Sequence, residues 1–346
     1  MRVALPILED SSLIFARRVG DQLSHRGHDV FYVHVQEKHV KGSKLSRRQI
    51  EEALGSRGLD DSVTEAAFMT DDYLSSFGAV ILGRSFRDMR ARLGQEAFRK
   101  RTDRPRFIAF QAGIEFTPEK GAQNRLWFDA VFLNNPTDRD LFRAATQRGA
   151  DQIVDWGHPY FLKPTAWRPL QPGAPIYFFA QAISPPTLGA RLHPDRRIVL
   201  KLRHLPNEND KHVHKERFAY PWLQDRYGPP PPPNFAFETG PIGAALAQAG
   251  ATITCTSTAA MDSISAGVPA FVYVDYVECY RDPLCAPMAA VFAGSGAISR
   301  LGDILRLHAP ERPPAAWLDD NFREEGALYD ALEAAMAGRP AFVRAA

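Results

Sequence analysis

"CTSTAAMDSISAGVPAFVYV", residues 255–274, decides the fold. An apolar run at 252–255 ends in Thr256, Ser257 and Thr258. Small residues follow from 259 to 266, and Gly267-Val268-Pro269 stops them before a second apolar run starts at Ala270. Glycine just past such a segment, with proline close behind, is a helix stop. Hydroxyl side chains at its other end can cap free N–H groups. Strand, hydroxyl turn, short helix, strand is the repeating unit of a parallel α/β sheet.

The same alternation fills the chain on either side. Apolar runs predict strands at "RVALPIL" (2–8), "DVFYVHV" (29–35), "AVILG" (79–83), "RFIAFQ" (106–111), "DAVFLN" (129–134) and "QIVDWG" (152–157). Helical patterns lie between them, at 11–26, 44–54, 64–76, 85–100 and 137–148. A second series runs through "IYFFAQAI" (176–183), "RIVLKLRH" (197–204), "TITCTS" (252–257) and "AFVYVDY" (270–276). Near-continuous Val, Ile, Leu and Phe, spaced by helices, predicts parallel sheets covered on both faces. Between the two series, "LKPTAWRPLQPGAP" (162–175) carries four prolines and reads as a linker. "PPPPP" (229–233) reads as a stiff extended spacer. The expected organisation is a first domain over 1–165, a second over 175–320, and a segment 321–346 whose helix packs back on the first domain. Both domains are expected to be doubly wound and Rossmann-like, with the ligand in the cleft between them.

Composition narrows the function classes. The chain has 346 residues, 45% hydrophobic and 24% charged, as an ordinary two-domain globular protein does. A net charge of +2 is too balanced for a nucleic-acid partner recognised by bulk electrostatics. The three cysteines, Cys255, Cys279 and Cys285, lack metal-site spacing and read as thiols in a reducing compartment. The first apolar run meets Glu9 and Asp10 at once, unlike a signal peptide, and no run approaches a membrane span. A cytoplasmic protein is expected, with peripheral membrane contact left open.

A cluster of cationic side chains follows the apolar run 198–200, in "KLRHLPNENDKHVHKE" (201–216). Alternation sends Lys201 and Arg203 to one side and His204 to the other. Arginine can fork two phosphate oxygens and lysine can add a point charge, so this strand end suits an anion or a solvated loop. A phosphate is equally well received by the N–H groups above Ser257 and Thr258, which otherwise need only a cap. No metal site is expected. His212 and His214 lack further ligands, and "DRD" (138–140) falls in the first turn of a helix, where acids favour the dipole. No GxGxxG follows the first strand, against a dinucleotide dehydrogenase.

Together, "KLRHLP" (201–206), "TST" (256–258) and a small-residue helix closing on "AGVP" (266–269) resemble the donor-binding domain of GT-B-fold glycosyltransferases, over about 200–274. More narrowly, they are similar to bacterial glycosyltransferases related to polysialyltransferases, capsule Kdo transferases and CDP-glycerol glycerophosphotransferases. Those relatives hold a nucleotide phosphate with a His-Pro motif and a Ser-Ser/Thr motif. Here Leu205 separates His204 from Pro206, a departure from the strict form. The resemblance implies a GT-B fold and a nucleotide-sugar co-substrate held by Lys201, Arg203, His204, Thr256, Ser257 and Thr258, with no other cofactor and no metal.

The first domain would then serve a glycan or other hydroxyl acceptor. Its first strand ends at Glu9-Asp10-Ser11-Ser12, and the relatives carry an acidic base in this domain. Asp10 is the first candidate for general base, with Glu9 second; Asp10 can instead simply cap the helix. Glu115 is the alternative, in a polar loop at a strand end that also brings Gln111 and Gly113 to the acceptor side. "GHPYF" (157–161) reads as a hinge. The expected activity is glycosyl transfer in bacterial surface glycan synthesis, with a CMP-linked ulosonic acid, UDP sugar or GDP sugar as donor. A CDP-alditol phosphotransferase, a sugar-nucleotide epimerase and a non-catalytic nucleotide sensor are the alternatives.

Overall fold

A computed structural model describes residues 1–37, 45–111, 113–114, 118–146, 152–179, 193–202, 230–274 and 285–338. The chain forms two compact units, Met1–Leu162 with Asn321–Ala346, and Lys163–Asp320.

The first unit holds strands β1 (Arg2–Ile7), β2 (Asp29–Gln36), β3 (Asp61–Thr64), β4 (Ala79–Leu82), β5 (Arg106–Phe110), β6 (Ala130–Leu133) and β7 (Ile153–Trp156). They pair in parallel in the order β3-β2-β1-β4-β5-β6-β7. Alternation within β1 separates the two faces of this sheet. Val3, Leu5 and Ile7 meet Leu13, Phe15 and Val19 of helix Asp10–His25, together with Leu328, Tyr329 and Leu332 of helix Glu325–Met336. Ala4 and Leu8 face the other way, toward Phe68, Phe86, Met89 and Phe98. Burial on both faces is why these strands read as unbroken apolar runs. Polar contacts also hold the C-terminal helix in this unit. The Arg26 guanidinium donates to Asp330 at 2.7 Å and Glu333 at 2.8 Å, and His28 Nε2 lies 2.8 Å from Glu333.

The second unit has β8 (Ile176–Phe179), β9 (Ile198–Lys201), β10 (Phe235–Glu238), β11 (Ala251–Thr254) and β12 (Ala270–Val272), in the parallel order β10-β9-β8-β11-β12. Ile176, Ile198, Ala251 and Phe271 line one face; Tyr177 and Val199 line the other, against Ala245 and Val268. Gly267 explains the helix stop. Its φ is +70°, and a Cβ there would collide with the Ala166 carbonyl, while its own carbonyl accepts the Arg168 N–H at 2.8 Å.

Some elements differ from expectation. β3 and β10 are sheet-edge strands that the apolar pattern does not announce. The helix expected over 64–76 is two single turns, Glu65–Phe68 and Asp71–Leu74, each with its own threonine cap, Thr64 and Thr70. The helix expected over 85–100 breaks at Gln95 into Arg87–Gly94 and Glu96–Arg99.

Topology fixes where each sheet presents a ligand. From β1 the chain steps to β2 and β3, then returns past β1 to β4; from β8 it steps to β9 and β10, then returns to β11. Switch points therefore lie between β1 and β4 and between β8 and β11, and their carboxyl ends are the binding edges of such sheets.

Candidate functional site

At the first switch point, β1 runs out through Leu8 into Glu9, which is extended (φ −157°, ψ 177°) and precedes helix Asp10–His25. Ser12 fastens this turn. Its hydroxyl accepts from the N–H groups of Leu8 at 2.8 Å and Glu9 at 2.9 Å and donates to the Glu9 carbonyl at 2.7 Å. Asp10 is buried, and its Oδ1 accepts the Ser11 N–H at 2.8 Å. Glu9 points elsewhere. Its Oε2 lies 2.6 Å from Arg84 Nη1, and its Oε1 accepts the Ser11 hydroxyl at 3.0 Å. Arg84 Nη2 is 3.8 Å from Glu37. Burial pushes the Glu9 carboxyl up, but the Arg84 charge with the Arg84 and Ser11 hydrogen bonds outweighs it and holds the group below its ordinary range.

Two strands away in the same sheet, Gln111 follows β5 and is buried. It donates its N–H to the Phe132 carbonyl at 2.8 Å, and its side-chain oxygen accepts the Asn134 N–H at 3.1 Å. Asn134 Nδ2 donates to the Gly113 carbonyl at 2.8 Å. Asn134 thus joins Gln111 and Gly113, the two residues expected on the acceptor side, and its own Oδ1 is buried with no hydrogen-bond partner among the described residues. Sequence reading missed Asn134, although its place just past β6 was a usable signal. Glu115 lies outside the described residues.

His158 of "GHPYF" is a core residue of the first unit. It is 1% exposed, with ring centroids of Tyr160 at 4.7 Å and Phe161 at 4.9 Å. Its Nδ1 accepts the Tyr160 N–H at 3.2 Å, and the ring also hydrogen-bonds the Gln111 backbone. Burial, with the Arg18 and Arg125 charges, lowers its pKa to about 3, so it is neutral. Of "DRD", Asp138 takes the Asn135 cap on its N–H at 2.8 Å, and Asp140 pairs with Arg139 at 2.8 Å. Among the described residues no group of three His, Cys, Asp or Glu could hold a metal.

In the second unit, Thr256, Ser257 and Thr258 follow β11 at the switch point. Thr256 is buried; Ser257 and Thr258 are half-buried. Ser257 Oγ accepts the Ala259 N–H at 3.2 Å, and Thr258, already helical, makes no side-chain cap. Beneath them a hydroxyl chain that the sequence did not announce runs from Thr252 to Ser263 at 2.8 Å and on to the Ala259 carbonyl at 2.8 Å. It ties helix Ala259–Ser265 to β11. Lys201, the last residue of β9, is buried; its ammonium donates to the carbonyls of Gly240 at 2.5 Å and Leu202 at 3.3 Å. Arg203 and His204 lie outside the described residues, as do His212 and His214.

Residues 9–337 match the profile of a family described as "Putative glycosyltransferase (DUF6716)". No curated protein sequence matches the chain. Among solved structures, the "putative UDP-N-acetylglucosamine 2-epimerase" of Listeria monocytogenes is similar with a TM-score of 0.56 at 11% identity, over 96% of each chain. The wall teichoic acid polymerase TagF is similar with a TM-score of 0.51 at 10% identity, over 97% of this chain and 88% of that one. At these identities the likeness is one of fold: the protein has the GT-B architecture, two Rossmann-like domains. Among the described residues no helix is long and apolar enough to cross a membrane.

Proposed function

The chain belongs to that glycosyltransferase family, and on this premise we propose that it moves a sugar from a nucleotide-activated donor to a hydroxyl acceptor. The observation that carries the reading is the hydroxyl turn Thr256-Ser257-Thr258 at the β8–β11 switch point, the edge where such sheets take ligands. There the donor's phosphate is held by these hydroxyls and the N–H groups above them, and by Arg203 and His204, which follow Lys201 closely in sequence. The bound oxygens carry the charge that develops as the leaving nucleotide departs. Lys201 serves the site indirectly, by fixing the exit of β9. On the first unit, a carboxylate takes the acceptor's proton; Glu9, Asp10 and Glu115 are the candidates, with Ser11, Gln111 and Gly113 on the acceptor side. No metal takes part in this reading. The donor is a CMP-linked ulosonic acid, or else a UDP or GDP sugar, and the product a bacterial surface glycan made in the cytoplasm.

The test is incubation with CMP-N-acetylneuraminic acid, UDP-glucose, UDP-N-acetylglucosamine, GDP-mannose and CDP-glycerol, with and without mono- and disaccharide acceptors. Free nucleotide released faster with acceptor supports transfer. Release of CMP from CDP-glycerol alone would move the protein to phosphoalditol transfer. Sugar interconversion without release would make it an epimerase, and binding without turnover a sensor.

A further inference from the structure

Arg84 stands two residues past the end of β4, with no motif around it. In the order β2-β1-β4, its guanidinium reaches across the end of β1 toward the exit of β2. It meets Glu9 at 2.6 Å and Glu37 at 3.8 Å. The two carboxylates are the covered partners, with side chains 16% and 19% exposed against 43% for Arg84. The second oxygen of Glu9 is taken by the Ser11 hydroxyl. A carboxylate held at both oxygens has one orientation, and of its roughly four acceptor sites Arg84, the Ser11 hydroxyl and the Ser12 N–H of the capping box take three. What the arrangement fixes is the direction and charge of Glu9.

We propose that Arg84 is a positioning residue, which aims Glu9 at the carboxyl edge of the β1–β4 switch point as the carboxylate that takes the acceptor's proton. The inference rests on the transferase reading above. In the step, the acceptor O–H bond breaks and its proton goes to Glu9. The freed electron pair forms the bond to the anomeric carbon, and the bond from that carbon to the donor phosphate oxygen breaks, its pair leaving with the nucleotide.

The charged groups around Glu9, among the described residues, are Arg84 from the β4 exit, Asp10 on its own helix, and Glu37, which faces Arg84 from the β2 exit. Burial and Asp10 favour the protonated form of Glu9; Arg84 and the Ser11 hydroxyl oppose them. Removing Arg84 therefore raises the pH at which Glu9 ionises.

The experiment uses the full chain. Arg84→Met removes the charge and keeps an unbranched stem; Arg84→Lys keeps the charge and loses the fork. Side-chain carboxyl NMR, with the Glu9 signal identified by its loss in Glu9→Gln, follows the titration without any ligand. The expected result is a Glu9 midpoint at higher pH in Arg84→Met, with Arg84→Lys between it and wild type. With the donor that wild type turns over, the acid limb of the pH–rate profile moves the same way. Glu9→Gln loses about 10²–10⁴-fold in turnover, and adding Arg84→Met to it costs little more, as for two residues acting through one group. An unmoved Glu9 midpoint overturns the proposal. So does a moved midpoint with an unmoved acid limb, or a full additional loss in the double variant. Should Arg84→Met fail to fold, Arg84→Lys decides the same quantities. Wild type releasing nucleotide from no donor sinks the transferase reading and the base role with it; an active wild type whose acid limb ignores Arg84 sinks this proposal alone.

Discussion

The Lys201 ammonium donates to the Gly240 carbonyl at 2.5 Å, joining the exits of β9 and β10 from inside. A lysine that a sequence reading assigns to a phosphate is thus engaged with backbone. Lys201→Met keeps the stem and removes the donors. It should cost roughly 1–3 kcal/mol, the scale of leaving buried carbonyls unpaired, read as a lower urea midpoint. Nucleotide affinity should change less than in Arg203→Ala, where a lost charge-assisted bond to phosphate costs about 1.5–3 kcal/mol. The reverse ranking would return Lys201 to the phosphate.

His158 makes stability fall in mild acid. Its folded pKa is depressed to about 3 from an ordinary 6.5, so between those values the unfolded chain binds a proton that the folded chain does not. The contribution is intact above the unfolded value and is lost as pH falls toward the folded one, with a slope of up to about 1.4 kcal/mol per pH unit. Denaturant melts from pH 7 to pH 4 read this slope. His158→Gln, which keeps a hydrogen-bonding side chain, should flatten it; an equal slope in the variant would place the acid sensitivity elsewhere.

Gly267→Ala should lower the melting temperature, because the position needs both a left-handed φ of +70° and the space taken by the Ala166 carbonyl. A non-glycine residue there costs about 1 kcal/mol or more from backbone conformation alone, before the collision is counted. A variant as stable as wild type would mean that the segment at 166–168 can move off the helix end.

Turnover should persist in EDTA. "DRD" lies in the first turns of a helix, where the Asp138 backbone N–H takes the Asn135 cap and the Asp140 carboxylate pairs with Arg139. Activity lost on chelation and restored by magnesium or manganese would bring that motif, or the His212 and His214 pair, back as ligands.

Much of the fold was legible because burial on both sides writes itself into composition. β1, β4, β5 and β6 are covered on both faces and appear as apolar runs with little punctuation. β3, "DSVT", is an edge strand with mostly exposed side chains, and β10, "FAFE", an edge strand half-buried throughout, so neither carries that signature. Strand order is written nowhere in the local pattern. The switch points, and with them the meaning of Glu9 and Thr256, came only from pairing. Of the candidate site, strand-end residues such as Asp10 and Ser257 are singled out by position alone. Arg84 could not, because its partner Glu9 lies three strands earlier in the chain and neither residue implies the other. Asn134 stands at a strand end and was visible by position, but its link to Gln111 and Gly113 was not, because those bonds cross between neighbouring strands.

The hydroxyl turn offers a way to separate a helix cap from a phosphate site. Ser257 Oγ accepts the Ala259 N–H at 3.2 Å, whereas the Thr258 hydroxyl makes no cap. Ser257→Ala should therefore destabilise the protein by about 0.5–2 kcal/mol, as lost caps do, and Thr258→Val should not. Nucleotide binding cuts across that difference. If both hydroxyls hold the donor phosphate, each variant weakens the nucleotide, and Thr258→Val does so with its melting temperature intact. The free protein's melt and the melt at one fixed, excess nucleotide concentration separate the two effects, since a ligand adds stability as the logarithm of its concentration over its Kd for the native state. A loss of stability in Ser257→Ala, with full nucleotide affinity in both variants, would reduce the turn to an ordinary helix start and move the phosphate away from β11.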